Sequence, residues 1–176
     1  MQTPALALLA FLAILIPTVA QALDSDRQQA IEIQADRAEL DEKTGEARYE
    51  GQVVLVQGSL NIKADVLVLK ADGTQQLTAV VATGKPATFS QIPEAGKPPV
   101  TARASTIDYQ VARETLLLQG QAVVVQNNNV FQGERIEYDI PRQRMQATSS
   151  GGAPGGRVKM TLPPSSKEGA GGAVTP

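Results

Sequence analysis

Apolar and polar residues alternate along most of this chain with a period of two. Ile31, Ile33 and Ala35 are interleaved with Glu32, Gln34 and Asp36, the spacing of a strand with one buried face. The apolar phase moves from odd to even positions between Ala35 and Ala38. Residues 31–40 are therefore expected as a bulged strand or two successive short strands. Further strands are expected over 47–57, 60–70, 77–82 and 87–92. Turn signals separate them: Asp41 to Gly45, Gln57-Gly58-Ser59, Asp72-Gly73 and Gly84-Lys85-Pro86, then a loop from Pro93 to Pro99. A second set of strands fills 100–140, with a turn at Asn127-Asn128-Asn129 and a stop at Pro141. Short strands over 144–147 and 157–162 close the pattern.

The same pattern occurs twice. Glu50-Gly51-Gln52-Val53-Val54-Leu55-Val56-Gln57 returns as Gln119-Gly120-Gln121-Ala122-Val123-Val124-Val125-Gln126, at an offset of 69 residues. The offset holds beyond the octets: Leu40 falls on Tyr109, Ile62 on Phe131, Asp65 on Glu134 and Leu67 on Ile136. A fainter copy, Thr83-Gly84-Lys85-Pro86-Ala87-Thr88-Phe89, lies between them. One supersecondary unit used several times is the plain meaning of such a repeat. Many short strands with frequent turns and no long helix predict an antiparallel sandwich, barrel or jelly roll.

Composition narrows the function more than the fold. Residues 5–16 form an unbroken apolar run of 12, followed by Ala20-Gln21-Ala22. That is the form of a secretory signal peptide, too short to span a bilayer. Residues 1–22 are expected to be cleaved, with 23–162 as one domain and 163–176 as a disordered Gly/Pro/Ser-rich tail. The chain has no cysteine, no histidine and no tryptophan. Histidine-based triads, Cys–His pairs and the common zinc sites are thereby excluded. Phosphate-binding glycine signatures are absent. A net charge of −2 with interspersed signs excludes a nucleic-acid partner of the usual basic kind.

A carboxylate pair for glycan hydrolysis is one remaining chemistry, and Asp65 with Glu134 would supply it. The solvated side of two strands is the plainer place for both. The Val, Ile, Leu and Ala faces leave two further readings open. Two such faces fill each other in an ordinary core, giving a structural or interaction module. Alternatively the sheet curls round an apolar groove, where each buried acyl CH₂ contributes roughly 0.8 kcal/mol. The edges carry a message of their own, since an open sheet templates pairing with another chain.

Several segments together resemble the LptA (OstA-like) family of periplasmic lipopolysaccharide transport proteins. They are 23–33, the Gly51 to Asp65 pattern, Ala82-Thr83-Gly84-Lys85-Pro86-Ala87-Thr88-Phe89, and Arg144-Met145-Gln146-Ala147. The resemblance implies a V-shaped antiparallel jelly roll of roughly sixteen short strands with an open groove. It implies a non-enzymatic protein without a cofactor, exported to the periplasm. Its lipopolysaccharide cargo would hold its acyl chains inside the groove. Copies would join head to tail, with an LptC-like partner at the inner membrane and an LptD-like partner at the outer membrane. By the same resemblance Ile31, Ile33, Phe89, Tyr109 and Val111 line the groove, and Lys70 sits near a lipid phosphate. Alternation and the repeat offset add Val54, Val56, Ile62, Val125 and Phe131.

Overall fold

A computed structural model describes residues 26, 28–149 and 157–163. The expected leader, 1–22, and the expected tail from 164 onward lie outside the described residues. The described residues form ten strands in one antiparallel sheet: β1 Glu32–Gln34, β2 Arg37–Asp41, β3 Glu46–Gln57, β4 Leu60–Ala71, β5 Leu77–Gln91, β6 Val100–Gln110, β7 Thr115–Gln126, β8 Asn129–Asp139, β9 Arg144–Thr148 and β10 Lys159–Thr161. The order across it is β1-β3-β4-β5-β6-β7-β8-β10, with β2 also on β3 and β9 also on β8.

The described residues form ten strands where the resemblance implied roughly sixteen short ones. Six strands, β3 to β8, run unbroken through bends, as expected for 47–57 and 60–70 but not for β5. Residues 77–82 and 87–92 are the two arms of β5. From β3 to β8 the ladder of each successive pair shifts register, between Glu50 and Val53, Lys63 and Val66, Thr83 and Ala87, Arg103 and Thr106, and Gln119 and Ala122, and β4 with β5 shifts again between Lys70 and Ala71. Hydrogen bonding resumes directly beyond each bulge, so the strand bends without ending.

The repeat explains the bend locally. Gly51 and Gly120 have φ of 83° and 80°, and the glutamines after them, Gln52 and Gln121, have φ of 44° and 51°. A side chain at Gly51 would run into the Asp36 carboxylate, and one at Gly120 would stand 2.6 Å from Ser105 Oγ. Asp36 and Ser105 are themselves repeat counterparts. Glycine thus supplies both the left-handed geometry and the room. At the edge, the phase shift expected near Ala35 separates β1 from β2, where Asp36 N donates to the carbonyls of Glu50 and Gly51.

The line of bends divides the sheet into two halves. The β1 half is flanked by β1 and β10, and the β2 half by β2 and β9. Phe89 lies in the first and Tyr109 in the second, yet their ring centroids are 5.5 Å apart. In the flat sheet, Tyr109 would lie seven residues along β6 from the position opposite Phe89, about 23 Å away. The halves therefore face each other, and one apolar core joins both.

Candidate functional site

The candidate site is the space between the two inner faces. In the β1 half one cross-strand row reads Ile33, Leu55, Ile62, Phe89, Ala102, Val124, Phe131 and Met160. In the β2 half the matching row reads Leu40, Ala47, Leu69, Val80, Tyr109, Leu116, Tyr138 and Met145. Neither row holds a charge from one edge of the sheet to the other. Among the described residues no backbone hydrogen bond joins the two lips of the fold, so side chains alone close its mouth.

The structure brings together Ile33, Ile62, Phe89, Tyr109 and Phe131 on the inner faces, with Val111 packed against the same core just after β6. Ile31 stands exposed ahead of β1. Val54, Val56 and Val125 are placed differently: they lie on the outer face of the β1 half. Their neighbours Val53, Leu55 and Val124 are the ones that point inward. Lys70 is exposed on the outer face of the β2 half, where its Nζ pairs with Glu46 at 3.2 Å.

Two buried polar atoms of the described residues lack a hydrogen bond, Gln91 Oε1 and the Tyr138 hydroxyl, and both lie near the strand ends that form the mouth. Burial pushes the Tyr138 phenol above its ordinary value; Gln126 pulls it down and the Asp139 charge adds to the rise. The hydroxyl completes no bond of good geometry, so Gln126 is a polar neighbour of the phenol rather than its partner. Asp65 and Glu134 are exposed at the bends of β4 and β8. Those strands are four places apart in the sheet, on the order of 19 Å. Paired carboxylates in glycoside hydrolysis stand roughly 5–9.5 Å apart. Among the described residues no group of carboxylates is placed to hold a metal ion.

Sequence reasoning missed the ends of the inner face. Among the described residues β1 and β2 pair only with β3, and β9 and β10 only with β8, so each end of the described sheet presents backbone groups without a strand partner. Leu40 at one end and Met160 at the other belong to the inner rows but are 66% and 53% exposed. Val158 and Leu162 share the phase of Met160 and are exposed too. The available signal was the repeat, which sets Leu40 against Tyr109.

Comparison with known proteins agrees with this geometry. The family model described as LptA/(LptD N-terminal domain) LPS transport protein matches residues 32–144. The chain is 40% identical over 154 residues to the lipopolysaccharide export system protein LptH of Pseudomonas aeruginosa, covering 85% of this chain and 88% of that protein. It is 36% identical over 145 residues to the lipopolysaccharide export system protein LptA of Escherichia coli (strain K12), covering 82% and 76%. The crystal structure of Pseudomonas aeruginosa LptH, the LptA homologous periplasmic component of the conserved lipopolysaccharide transport device, superimposes with a TM-score of 0.72. That match is at 40% identity over 80% of this chain and 99% of the other. The chain belongs to the LptA/(LptD N-terminal domain) LPS transport protein family.

Proposed function

We propose that this protein carries lipopolysaccharide across the periplasm as a non-enzymatic conduit. A leader cleaved after Ala22 delivers it there. The acyl chains lie between the two inner faces, in contact with Ile33, Ile62, Phe89, Tyr109 and Phe131. The bent sheet then serves as the V-shaped jelly roll that the resemblance implies, with its mouth between the lips. Because side chains alone hold the lips together, the halves part to admit lipid. Copies join head to tail, β9 and β10 of one against β1 and β2 of the next. The terminal copies meet an LptC-like partner at the inner membrane and an LptD-like partner at the outer.

One observation carries this reading. The inner apolar face runs uncovered to both open edges of the sheet. Edge pairing between copies satisfies the free backbone groups and continues the apolar track from one molecule into the next. A head-to-tail contact of this kind grows without closing.

A second reading has its own support: the inner faces fill each other, with Phe89 and Ile62 each 1% exposed. In it the chain is an interaction module with a packed core. Photo-crosslinking to lipopolysaccharide separates the two. Photoreactive groups go at Ile33 and Phe89, with the outward Val68 and Val81 of the β2 half as controls. The conduit predicts lipid adducts at the first pair only. A folded protein with no adduct at either inner position would leave the packed module standing.

A further inference from the structure

The two outer faces of the bent sheet use their charges differently. On the β2 half, Arg48 pairs with Glu50 at 2.8 Å, Lys70 with Glu46 at 3.2 Å and Arg135 with Glu137 at 2.7 Å. A hollow of about 510 Å³ on that face sets Asp108, Glu137 and Asp139 against Arg135 and Arg144. Three of the cations on this face are thus held in ion pairs.

On the β1 half, strand register puts Lys63, Arg103 and Lys159 in one transverse row. Thr88 lies between the first two, and Val123 and Gln132 between the second and third. At one strand spacing per step the gaps are about 10 and 14 Å. Among the described residues none of the three makes an ion pair or a side-chain hydrogen bond. The carboxylates of this face, Glu32, Asp65 and Glu134, bond to none of them. Two hollows of about 590 and 670 Å³ share Arg103, Val123 and Gln132. Together they make a trough from Ser90 and Thr101 toward the bend, where Lys85 and Arg157 add two more cations.

We propose that this trough binds the acidic, phosphorylated sugars of lipopolysaccharide, outside the lip of the β1 half; the inference rests on the conduit reading above. An amphiphile with its acyl chains between the halves must leave its charged glycan in water. Lys63 is three residues in from the start of β4, about 10 Å from the lip. This outer face gathers its unpaired cations along one trough, whereas on the other Arg48, Lys70 and Arg135 are held by carboxylates. A guanidinium such as Arg103 matches a phosphate with two parallel donors. The hydroxyls of Thr88, Ser90 and Thr101 and the amide of Gln132 supply neutral partners for sugar hydroxyls. Val125, which the alternation placed with the lipid, sits in this trough and would meet the cargo through its sugars.

The test uses the full mature chain and a fluorescent, fully deacylated lipopolysaccharide oligosaccharide that keeps its phosphates. Binding is expected by anisotropy, with at least a tenfold loss in Lys63→Gln/Arg103→Gln and after removal of the phosphates. Arg48→Gln/Arg135→Gln on the other face should change affinity less than twofold. All four are strand residues, Lys63, Arg103 and Arg48 exposed and Arg135 half-buried, and an unchanged melting curve checks that each variant folds. Crosslinks from Phe89 to intact lipopolysaccharide should persist in the trough variant. The inference is overturned by no oligosaccharide binding, by equal loss in both variant pairs, or by row-dependent binding of anionic phospholipid vesicles alone. Loss of the Phe89 adducts in the wild type, with oligosaccharide binding intact, would instead remove the conduit and leave the sugar site.

Discussion

β1 with β2 and strand β6 are the same segment of the repeat, 69 residues apart, and they meet opposite fates. Val100, Ala102, Ile107 and Tyr109 of β6 are buried, Tyr109 at 3% exposure. Their counterparts Ile31, Ile33, Ala38 and Leu40 are not, and Leu40 is 66% exposed. Both segments alternate, both are bent by the same glycine geometry in the next strand, and both pair with that strand. The difference is the neighbour on the far side. β6 is covered by β5, whereas among the described residues no strand lies beyond β1 and β2. Burial here is a property of position in the sheet, and an edge segment built like an interior one is poised to receive a strand.

The largest effect expected from this comparison is on assembly. Leu40→Asp with Met160→Asp puts a carboxylate on the inner track at each edge. Sedimentation should show monomers at every concentration at which the parent forms growing oligomers, with no change in melting. Oligomers of undiminished size in the variant would mean that these edges do not join.

Next in size is stability. Tyr109→Ala removes a buried ring that contacts Phe89 and should cost about 3–5 kcal/mol in urea unfolding. Leu40→Ala, its repeat counterpart, should cost less than about 0.5 kcal/mol when measured on the monomer. Equal costs would mean the edge is already covered in solution. A smaller contrast is expected at the bends. Gly51→Val and Gly120→Val both impose a left-handed backbone on a branched residue, a penalty of about 1–3 kcal/mol. Gly120 should be the costlier, because Ser105 above it is held in β6 between β5 and β7. Asp36, above Gly51, sits at the free edge. The reverse order of midpoints would argue that the edge is the more rigid of the two.

Much of this was legible in the residues. The alternation from Ile31, its phase shift near Ala35, the glycines at 51 and 120 and the 69-residue offset gave the strands, the β1–β2 break and the bends. Two things were not. Continuity of β5 through Gly84 to Pro86 was hidden, because a turn signature and a bulge within a strand use the same residues. The facing of Val54, Val56 and Val125 was hidden as well. In Val53-Val54-Leu55-Val56 both phases are apolar, so alternation cannot say which one enters the core.

The sequence thus carried the period, the unit, the bend in each strand and the membership of the family, all of which are local or repeat along the chain. The tertiary structure alone decided which valines point inward, which cations stay unpaired and where the apolar face is left open. Those depend on which strand lies alongside which. Arg48 and Arg135 on the β2 half each pair with a carboxylate two residues on, whereas Lys63, with Asp65 at the same spacing, and Arg103 make no ion pair on the β1 half, because the strand bends between Lys63 and Val66. Copies of one segment become core or edge according to whether a neighbour exists to exclude water.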